Sequence, residues 1–372
     1  FKANKVNNMK KSFYQCSSLE SIDLENFEGG LASDLSYLFY HCYKLNTVNI
    51  PKLTIQRASY MDYMFSNCHN LISLNLSSFN PSNIISASYM FESCTKLNST
   101  IFSNNIHYFS NTNSMFYECS SLEYLNFTNI YIYTSSNMSY MFYECTSLKS
   151  VLFKSLMNNL NNYYINMDFM FYNCISLESL DLSGFQARIN NLNKTFYNCY
   201  SITEIYLSRL ETNWVTTMNS MFYNCSSLTK LIHNFVTTTN LIDMGYMFKN
   251  CSSLTSLNLN YFSTIRVTDI EYLFYGCSSL TSINIDYNNF RTDNVKNMNY
   301  MFYDCKNLTY LNLNNFNTYN VIDMKYMFYN CHSLEFLYLY NFNTYNVKDM
   351  DSMFYNCSKL YSLNLYNFRT EN

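Results

Sequence analysis

Cysteine is the most regularly spaced residue of this chain that could do chemistry. All fourteen cysteines recur at intervals of 25 to 29 residues, most often 26. Zinc sites need close pairs such as Cys-x-x-Cys, and none occurs, so no metal site is predicted. Cysteines of adjacent repeats would lie close enough for a disulfide. An inward position instead favours a thiol that packs as a small apolar side chain. We expect mainly free thiols, with a few disulfides between adjacent repeats as the alternative.

Other residue types give no sign of catalysis. The five histidines form no recurring constellation with serine, cysteine or acidic residues. The sequence therefore predicts no catalytic residue, no cofactor and no enzymatic activity. Charged residues make up only 13% of the chain and the net charge is −3, so no basic patch for nucleic acid is expected. No apolar run approaches the length of a membrane-spanning segment.

Tyrosine is abundant, with 38 copies, and it occupies two fixed places in the repeat. It stands two residues before the cysteine in eleven repeats and five before it in eight. Tyrosine side chains order at little cost and are common in interfaces, so these columns are a candidate lateral contact surface. Packing between neighbouring repeats is the alternative. The candidate contact residues are Tyr275, Tyr303, Tyr329, Tyr355, Tyr300 and Tyr326.

A second aromatic group lies in the Leu-x-Leu part of the last repeats. Most repeats carry Asn or Ser at the outward positions there, whereas the C-terminal repeats carry aromatic residues. An exposed aromatic cluster on a sheet is a candidate binding patch for a protein or a glycan. Its members are Tyr310, Phe336, Tyr338, Tyr340 and Tyr366.

Asn-x-Ser/Thr sequons are a third kind of candidate site. Such sequons accept N-linked glycans when a protein is secreted by a eukaryotic cell. Sequons directly before a buried cysteine are poorer acceptors. The remaining candidates are Asn75, Asn98, Asn126, Asn137, Asn193 and Asn307.

The elements that position these residues follow from the repeat itself. Its clearest copy runs from Met327 to Leu339, and the pattern recurs fourteen times. A period near 26 residues is typical of a solenoid. Apolar residues from Val321 to Cys331 have helical spacing, with Asn320 as N-cap and Asp323 three residues on, so we expect a short helix. The alternation that follows predicts a short strand.

The full motif, seen at residues 315–334, is Asn-Phe-Asn-Thr-x-Asn-Val-x-x-Met-x-x-Met-Phe-x-x-Cys-x-x-Leu. It resembles the BspA-like leucine-rich repeats, and more closely the 26-residue mycoplasma-type surface repeat of unknown function. This resemblance covers the whole chain. It implies surface-exposed or secreted proteins, often adhesins, with no catalytic residue to carry over.

We therefore expect an α/β leucine-rich-repeat solenoid of about fourteen coils, with a parallel sheet on the concave side and short helices on the convex side. Residues 1–372 should form a single continuous domain, and the in-phase ends suggest a segment of a longer array. The expected function is a cell-surface or secreted structural protein that self-associates into a fibre or layer. The alternatives are an adhesin that binds a host or matrix protein or a glycan, and an intracellular protist scaffold.

Overall fold

The computed structural model describes residues 5–24, 31–49, 57–77, 84–102, 107–128, 130–153, 156–157, 164–208, 210–233, 238–286 and 288–369. The chain divides into two compact units, residues 1–187 (unit 1) and 188–372 (unit 2). Whether the repeats form one continuous domain stays a prediction.

Both units are built from short strands, one or two to a repeat, separated by turns. The strand of the Leu-x-Leu segment is short because only these few residues alternate between inward and outward side chains. The strands are β1 Ser21–Asp23, β2 Thr47–Asn49, β3 Ser73–Leu76, β4 Ser99–Phe102, β5 His107–Asn111, β6 Tyr124–Phe127, β7 Ile130–Asn137, β8 Ser150–Phe153, β9 Leu156–Met157, β10 Tyr164–Asn166, β11 Ser179–Asp181, β12 Phe185–Asn191, β13 Glu204–Tyr206, β14 Leu210–Glu211, β15 Lys230–Ile232, β16 Ser256–Asn258, β17 Ser282–Asn284, β18 Tyr310–Asn312 and β19 Phe336–Tyr338.

Strand pairing within each unit is parallel and joins equivalent positions of successive repeats. In unit 1, β1 pairs with β2, β3 with β4, and β6 with β8. In unit 2, β13 pairs with β15, β16 with β17, and β18 with β19. Because every strand pairs with its own counterpart, identical positions stack into columns along the repeat direction.

The core of each unit consists of such columns of apolar side chains. The phenylalanine three residues before each cysteine stacks on its counterpart, with ring centroids 5.1 Å apart at Phe91 and Phe116 and 5.9 Å apart at Phe248 and Phe274. The Met, Cys and Leu columns beside it are equally buried. A strand of three residues has too little apolar surface to be stable alone, so stacking is what stabilises each repeat.

The short helices predicted for the Met-Phe segment are not present, and the described residues contain no helix. Tyr326 and Asn330 have φ values of 54° and 60°, in the left-handed region. Their N–H groups therefore point along the stack and donate to the carbonyls of Asp351 and Tyr355, at 2.8 and 2.9 Å. Phe328, between them, also donates along the stack, whereas the N–H groups of Met327 and Tyr329 close tight turns by donating three residues back. The prediction of an inward stripe was right, but the helical conformation was wrong.

The predicted helix cap at Asn320 is also wrong. The Asn320 amide donates to the backbone carbonyl of Asp293 in the preceding repeat at 2.6 Å. Asp323 instead accepts the N–H of Lys325 at 3.0 Å, two residues on, in a turn that asparagine and aspartate favour. These residues therefore hold turns together and do not start a helix.

The expected count of fourteen coils is not supported. The structure supports a parallel-strand solenoid of about ten turns, with several connecting segments outside the described residues. Within the part of the chain that is described, no helix has the length and apolar character needed to cross a membrane.

Candidate binding surface

The aromatic residues of β18 and β19 lie side by side on the outward face of a two-stranded sheet. Parallel pairing sets Tyr310 opposite Phe336 and Asn312 opposite Tyr338. The Tyr310 and Tyr338 rings approach to 5.7 Å between centroids and are tilted. Leu311 and Leu337 point the other way, into the core. We call Tyr310, Phe336 and Tyr338 the strand-face patch, and each of its three side chains is about half exposed.

Tyr340 and Tyr366, the other predicted members, lie beyond the strands. Tyr340 follows β19 and is 65% exposed, and its N–H donates to the Asn314 side chain at 2.9 Å. Tyr366 is 88% exposed, with its N–H bonded to Asn364. The structure thus brings three of the five predicted residues together and places these two in turns.

A groove of about 510 Å³ lies next to the strand-face patch. Tyr310 is one of its walls, so the groove and the patch form one continuous surface. Apolar, hydroxyl and amide side chains line it together, which suits a ligand that has both apolar and hydrogen-bonding groups. Its lining residues are Asn260, Thr281, Ser282, Ile283, Asn284, Ile285, Thr309 and Tyr310. Sequence reasoning singled out Tyr310 alone, although the Ser and Asn columns of the strands mark the same face.

The tyrosines of the turn segment stack on one another between repeats. Ring centroids are 4.5 Å apart for Tyr275 and Tyr303, 4.7 Å for Tyr303 and Tyr329, and 4.6 Å for Tyr329 and Tyr355. The second column contains Tyr272, Tyr300 and Tyr326 with similar spacing. Burial raises the pKa of Tyr272 to about 12, so its hydroxyl stays protonated at neutral pH. We call the two columns the tyrosine ladder.

Lys249 occupies a tyrosine position of the ladder and was not singled out from the sequence. Its ammonium lies 4.4 Å from the ring centroid of Tyr272 and 4.5 Å from that of Tyr275. The rings of Tyr223 and Tyr246 lie slightly farther away. Partial burial lowers the Lys249 pKa. A cation among four rings is stabilised by their negative faces, so Lys249 fills the space left by the missing ring.

The six sequons differ in exposure. Four of the asparagines are exposed and two are half-buried, at Asn137 and Asn193. Asn137 accepts hydrogen bonds from both the N–H and the hydroxyl of Ser139. The exposed acceptors are Asn75, Asn98, Asn126 and Asn307.

The cysteines are free, and all but Cys16 and Cys357 are buried. Buried thiols donate to phenylalanine carbonyls of the preceding repeat, as Cys145 does to Phe116 at 3.0 Å. Burial raises the pKa of Cys94 to about 12. Such thiols are unreactive and pack as apolar side chains. Within the described ranges, no group of three or more His, Cys, Asp or Glu residues has the arrangement of a metal site.

These features define the chain as a leucine-rich-repeat type of solenoid with exposed aromatic surfaces. The family described as "Mycoplasma protein of unknown function, DUF285" matches residues 7–129, 33–159, 59–185, 126–204, 190–309 and 279–372. The chain belongs to this family. The resemblance expected from the repeat motif is thereby confirmed.

Solved structures with a similar fold come from several bacteria. A leucine-rich repeat protein of Bacteroides ovatus is 20% identical, with 89% of this chain and 86% of that one covered and a TM-score of 0.42. A leucine rich cell surface protein of Faecalibacterium prausnitzii is 18% identical, with 74% and 76% covered and a TM-score of 0.39. The leucine-rich-repeat protein LIC12759 of Leptospira interrogans is 14% identical, with 90% and 82% covered and a TM-score of 0.31. Among curated proteins there is no match.

Proposed function

We propose that this protein is a non-enzymatic recognition protein of the cell surface, and that its strand-face patch binds a polypeptide. The observation that carries the proposal is the juxtaposition of Tyr310, Phe336 and Tyr338 on adjacent strands, all exposed. Aromatic residues that cluster on a rigid element are the usual anchors of protein interfaces.

The surroundings of the patch favour a polypeptide over a highly charged partner. Ile283 and Ile285 contribute apolar surface to the adjoining groove, while Ser282 and Asn284 contribute hydroxyl and amide groups. A polypeptide presents the same mixture of apolar side chains and hydrogen-bonding backbone. None of the groove's lining residues is charged, so binding there should depend little on salt.

The test compares a patch variant with a matched control. Tyr310→Ala combined with Tyr338→Ala removes two anchors, while Tyr345→Ala removes an exposed tyrosine of the same unit outside the patch. The probes are purified matrix proteins, each in native and deglycosylated form, measured by surface plasmon resonance. We expect the double variant to bind at least about 30-fold more weakly, because the loss of even one interface anchor costs about 2 kcal/mol or more.

Two outcomes would contradict this function. Unchanged affinity of the double variant would exclude the patch as the contact surface. Binding that disappears when the probe is deglycosylated would show that the patch recognises sugar. Circular dichroism of each variant verifies that the fold is retained, as expected for side chains that are half exposed.

Self-association into a fibre or surface layer is a second candidate function. The tyrosine ladder favours it, because two adjacent columns of partly exposed rings form an extended surface, and Tyr355 is more than half exposed. Analytical ultracentrifugation of the wild type and of Tyr303→Ser combined with Tyr329→Ser tests it. Concentration-dependent assembly that the substitutions weaken would support lateral contacts. A monomer at all concentrations would exclude them.

An extracellular location is part of the first proposal and rests on the family resemblance. In cells that make the protein, a membrane-impermeant biotin reagent should label it on intact cells. Glycans at Asn75 or Asn126, detected by mass spectrometry, would also place it outside the cytosol. Protein that is labelled only after lysis and carries no glycan would favour the intracellular scaffold.

A further inference from the structure

A second groove, of about 630 Å³, lies on the turns that connect successive repeats of unit 2. Two consecutive copies of the Asn-x-Asn motif line it. The preceding repeat contributes Arg291, in the place of the second asparagine of the motif, and Asp293, in the place of Tyr319. The groove's volume is within the range of about 300–1000 Å³ that ligand pockets have. The lining residues are Arg291, Asp293, Asn315, Asn317, Tyr319, Asn341 and Asn343.

A fixed polar network forms the base of this groove. Arg291 Nε donates to Asp293 Oδ2 at 2.9 Å, and Asn317 Nδ2 donates to Asp293 Oδ1 at 2.9 Å. Burial alone would raise the pKa of Asp293, but the hydrogen bonds from Asn317 and Arg291 outweigh it and hold that pKa below its usual value. The carboxylate is therefore ionised and balances the guanidinium, which leaves the groove with no net charge.

Several hydrogen-bonding groups of the groove are left for a ligand. Among the described residues, the side-chain amides of Asn315 and Asn341 make no hydrogen bond within the chain, and both side chains are exposed. Asn343 uses its Oδ1 to accept the N–H of Tyr345, which leaves its Nδ2 as a donor. Tyr319, 51% exposed, contributes a ring to the wall. Amides supply donors and acceptors together, and a ring supplies an apolar surface.

We propose that this groove binds a neutral carbohydrate. A sugar presents hydroxyl groups that both donate and accept, which free amides match, and C–H faces that pack on an aromatic ring. Charge balance between Arg291 and Asp293 disfavours an anionic ligand such as a phosphate, because the guanidinium is already paired. The groove lies on residues other than those of the strand-face patch, so this inference does not depend on the proposed polypeptide function.

Saturation-transfer difference NMR with neutral oligosaccharides tests the site. The probes are short oligomers of glucose, mannose, galactose and N-acetylglucosamine, each at millimolar concentration. The variants are Tyr319→Ala and the double variant Asn315→Ala with Asn341→Ala. Tyr345→Ala is the matched control, since it removes an exposed tyrosine in the equivalent position of the next repeat. We expect at least one oligomer to bind the wild type and the control, and both groove variants to weaken that binding at least tenfold.

Three results would overturn the proposal. No saturation transfer from any of these sugars would exclude a neutral carbohydrate ligand. Binding that survives both groove variants would place the sugar elsewhere on the molecule. Binding lost in Tyr310→Ala with Tyr338→Ala but kept in the groove variants would assign it to the strand-face patch. All substituted side chains are exposed, so circular dichroism should show a retained fold.

Discussion

Units 1 and 2 use different contacts to link neighbouring repeats in the segment that follows the Leu-x-Leu strand. After the Leu-x-Leu strand and its phenylalanine, unit 1 forms a second strand in several repeats. There β5 and β7 pair in parallel, with His107 opposite Ile130, and β10 pairs with β7 through Asn166 and Asn137. The link between neighbouring repeats is therefore made by the backbone itself.

From residue 238 onward, unit 2 makes this link with side chains. The buried Thr318 hydroxyl donates to the carbonyl of Asn343 at 2.9 Å and accepts the N–H of the same residue at 2.7 Å. Thr344 makes the same pair of contacts with Arg369. In most of these repeats the asparagine two residues after the threonine adds a donor to the preceding repeat, as Asn320 does.

This difference shows that a buried hydroxyl can replace a strand pair. Backbone pairing needs no particular side chain, so unit 1 tolerates varied sequences such as Ile130–Asn137 in this region. Side-chain pairing requires Thr and Asn at fixed positions, which explains why the motif is more regular in unit 2. It also leaves the neighbouring Asn amides exposed, and these form the second groove.

The prediction with the largest expected effect concerns the buried phenylalanine column, which both units contain. Phe142 in unit 1 and Phe302 in unit 2 occupy the same position of the repeat, and each is fully buried in the stacked phenylalanine column of its own unit. Replacing either by alanine should destabilise its own unit by about 3–5 kcal/mol, because it removes a large apolar group and leaves a cavity. Hydrogen exchange with mass spectrometry reports the opening free energy of each region. A loss below about 1 kcal/mol in one unit only would show that its core is not tightly packed.

One contribution to the stability of unit 2 should fall in acid, because this unit contains the buried His233. Burial lowers the pKa of His233 to about 4. Its contribution to stability is fully present above the unfolded pKa of about 6.5 and is lost as pH falls to about 4. The loss should reach about 3 kcal/mol, at 1.36 kcal/mol per pKa unit. Urea unfolding of the wild type and His233→Gln should show the gap between them narrowing over this range.

The quantity to measure is the difference in unfolding free energy between the wild type and His233→Gln, because a second group changes stability with pH in the opposite direction. Burial raises the pKa of Asp269 to about 6, so its contribution grows as pH falls. This effect is common to both proteins and cancels in the difference. A constant gap between wild type and variant from about pH 7 to pH 4 would contradict a depressed pKa at His233.

The prediction with the smallest expected effect compares the stability changes caused by substituting two different threonines. Thr318→Val removes a hydroxyl that bonds twice and leaves a partly buried N–H and carbonyl of Asn343 without that partner, so unit 2 should lose about 1–3 kcal/mol. Thr100→Val in β4 removes a buried hydroxyl that has no hydrogen-bond partner, so it should be neutral or stabilising. Urea unfolding of both variants measures this. Equal losses would refute the idea that side-chain pairing replaces strand pairing.

Much of the fold could be predicted from the sequence because it depends on a repeated apolar pattern. The parallel stack, the buried cysteine column and the alternating strand all follow from that pattern. The helix could not be excluded in this way, since consecutive turns bury the same positions as a helix does. The Asn, Asp or Gly that precedes many cysteines, as at Asn330 and Gly276, was a usable sign of left-handed backbone. Tyr326 gave no such sign, because tyrosine rarely adopts that conformation.

The candidate surfaces were only partly predictable for a related reason. Residue type identified the strand-face patch, because aromatic side chains at outward strand positions must be exposed. The second groove depends on which amides remain free after the turns have formed. Asn317 and Asn315 are two residues apart in one motif, yet the first is bonded to Asp293 and the second is free. Only the hydrogen-bond arrangement distinguishes them.

The left-handed residues of the turn segment determine which insertions and deletions the fold can accommodate. Their N–H groups bond the next repeat one residue before the equivalent position, as Tyr326 does with Asp351. A gene that gains or loses one complete repeat reconnects the same donors with the same acceptors. A gain or loss of one codon in this segment instead misaligns every column that passes through it. Copy number of whole repeats is therefore the form of variation that this architecture accommodates most readily.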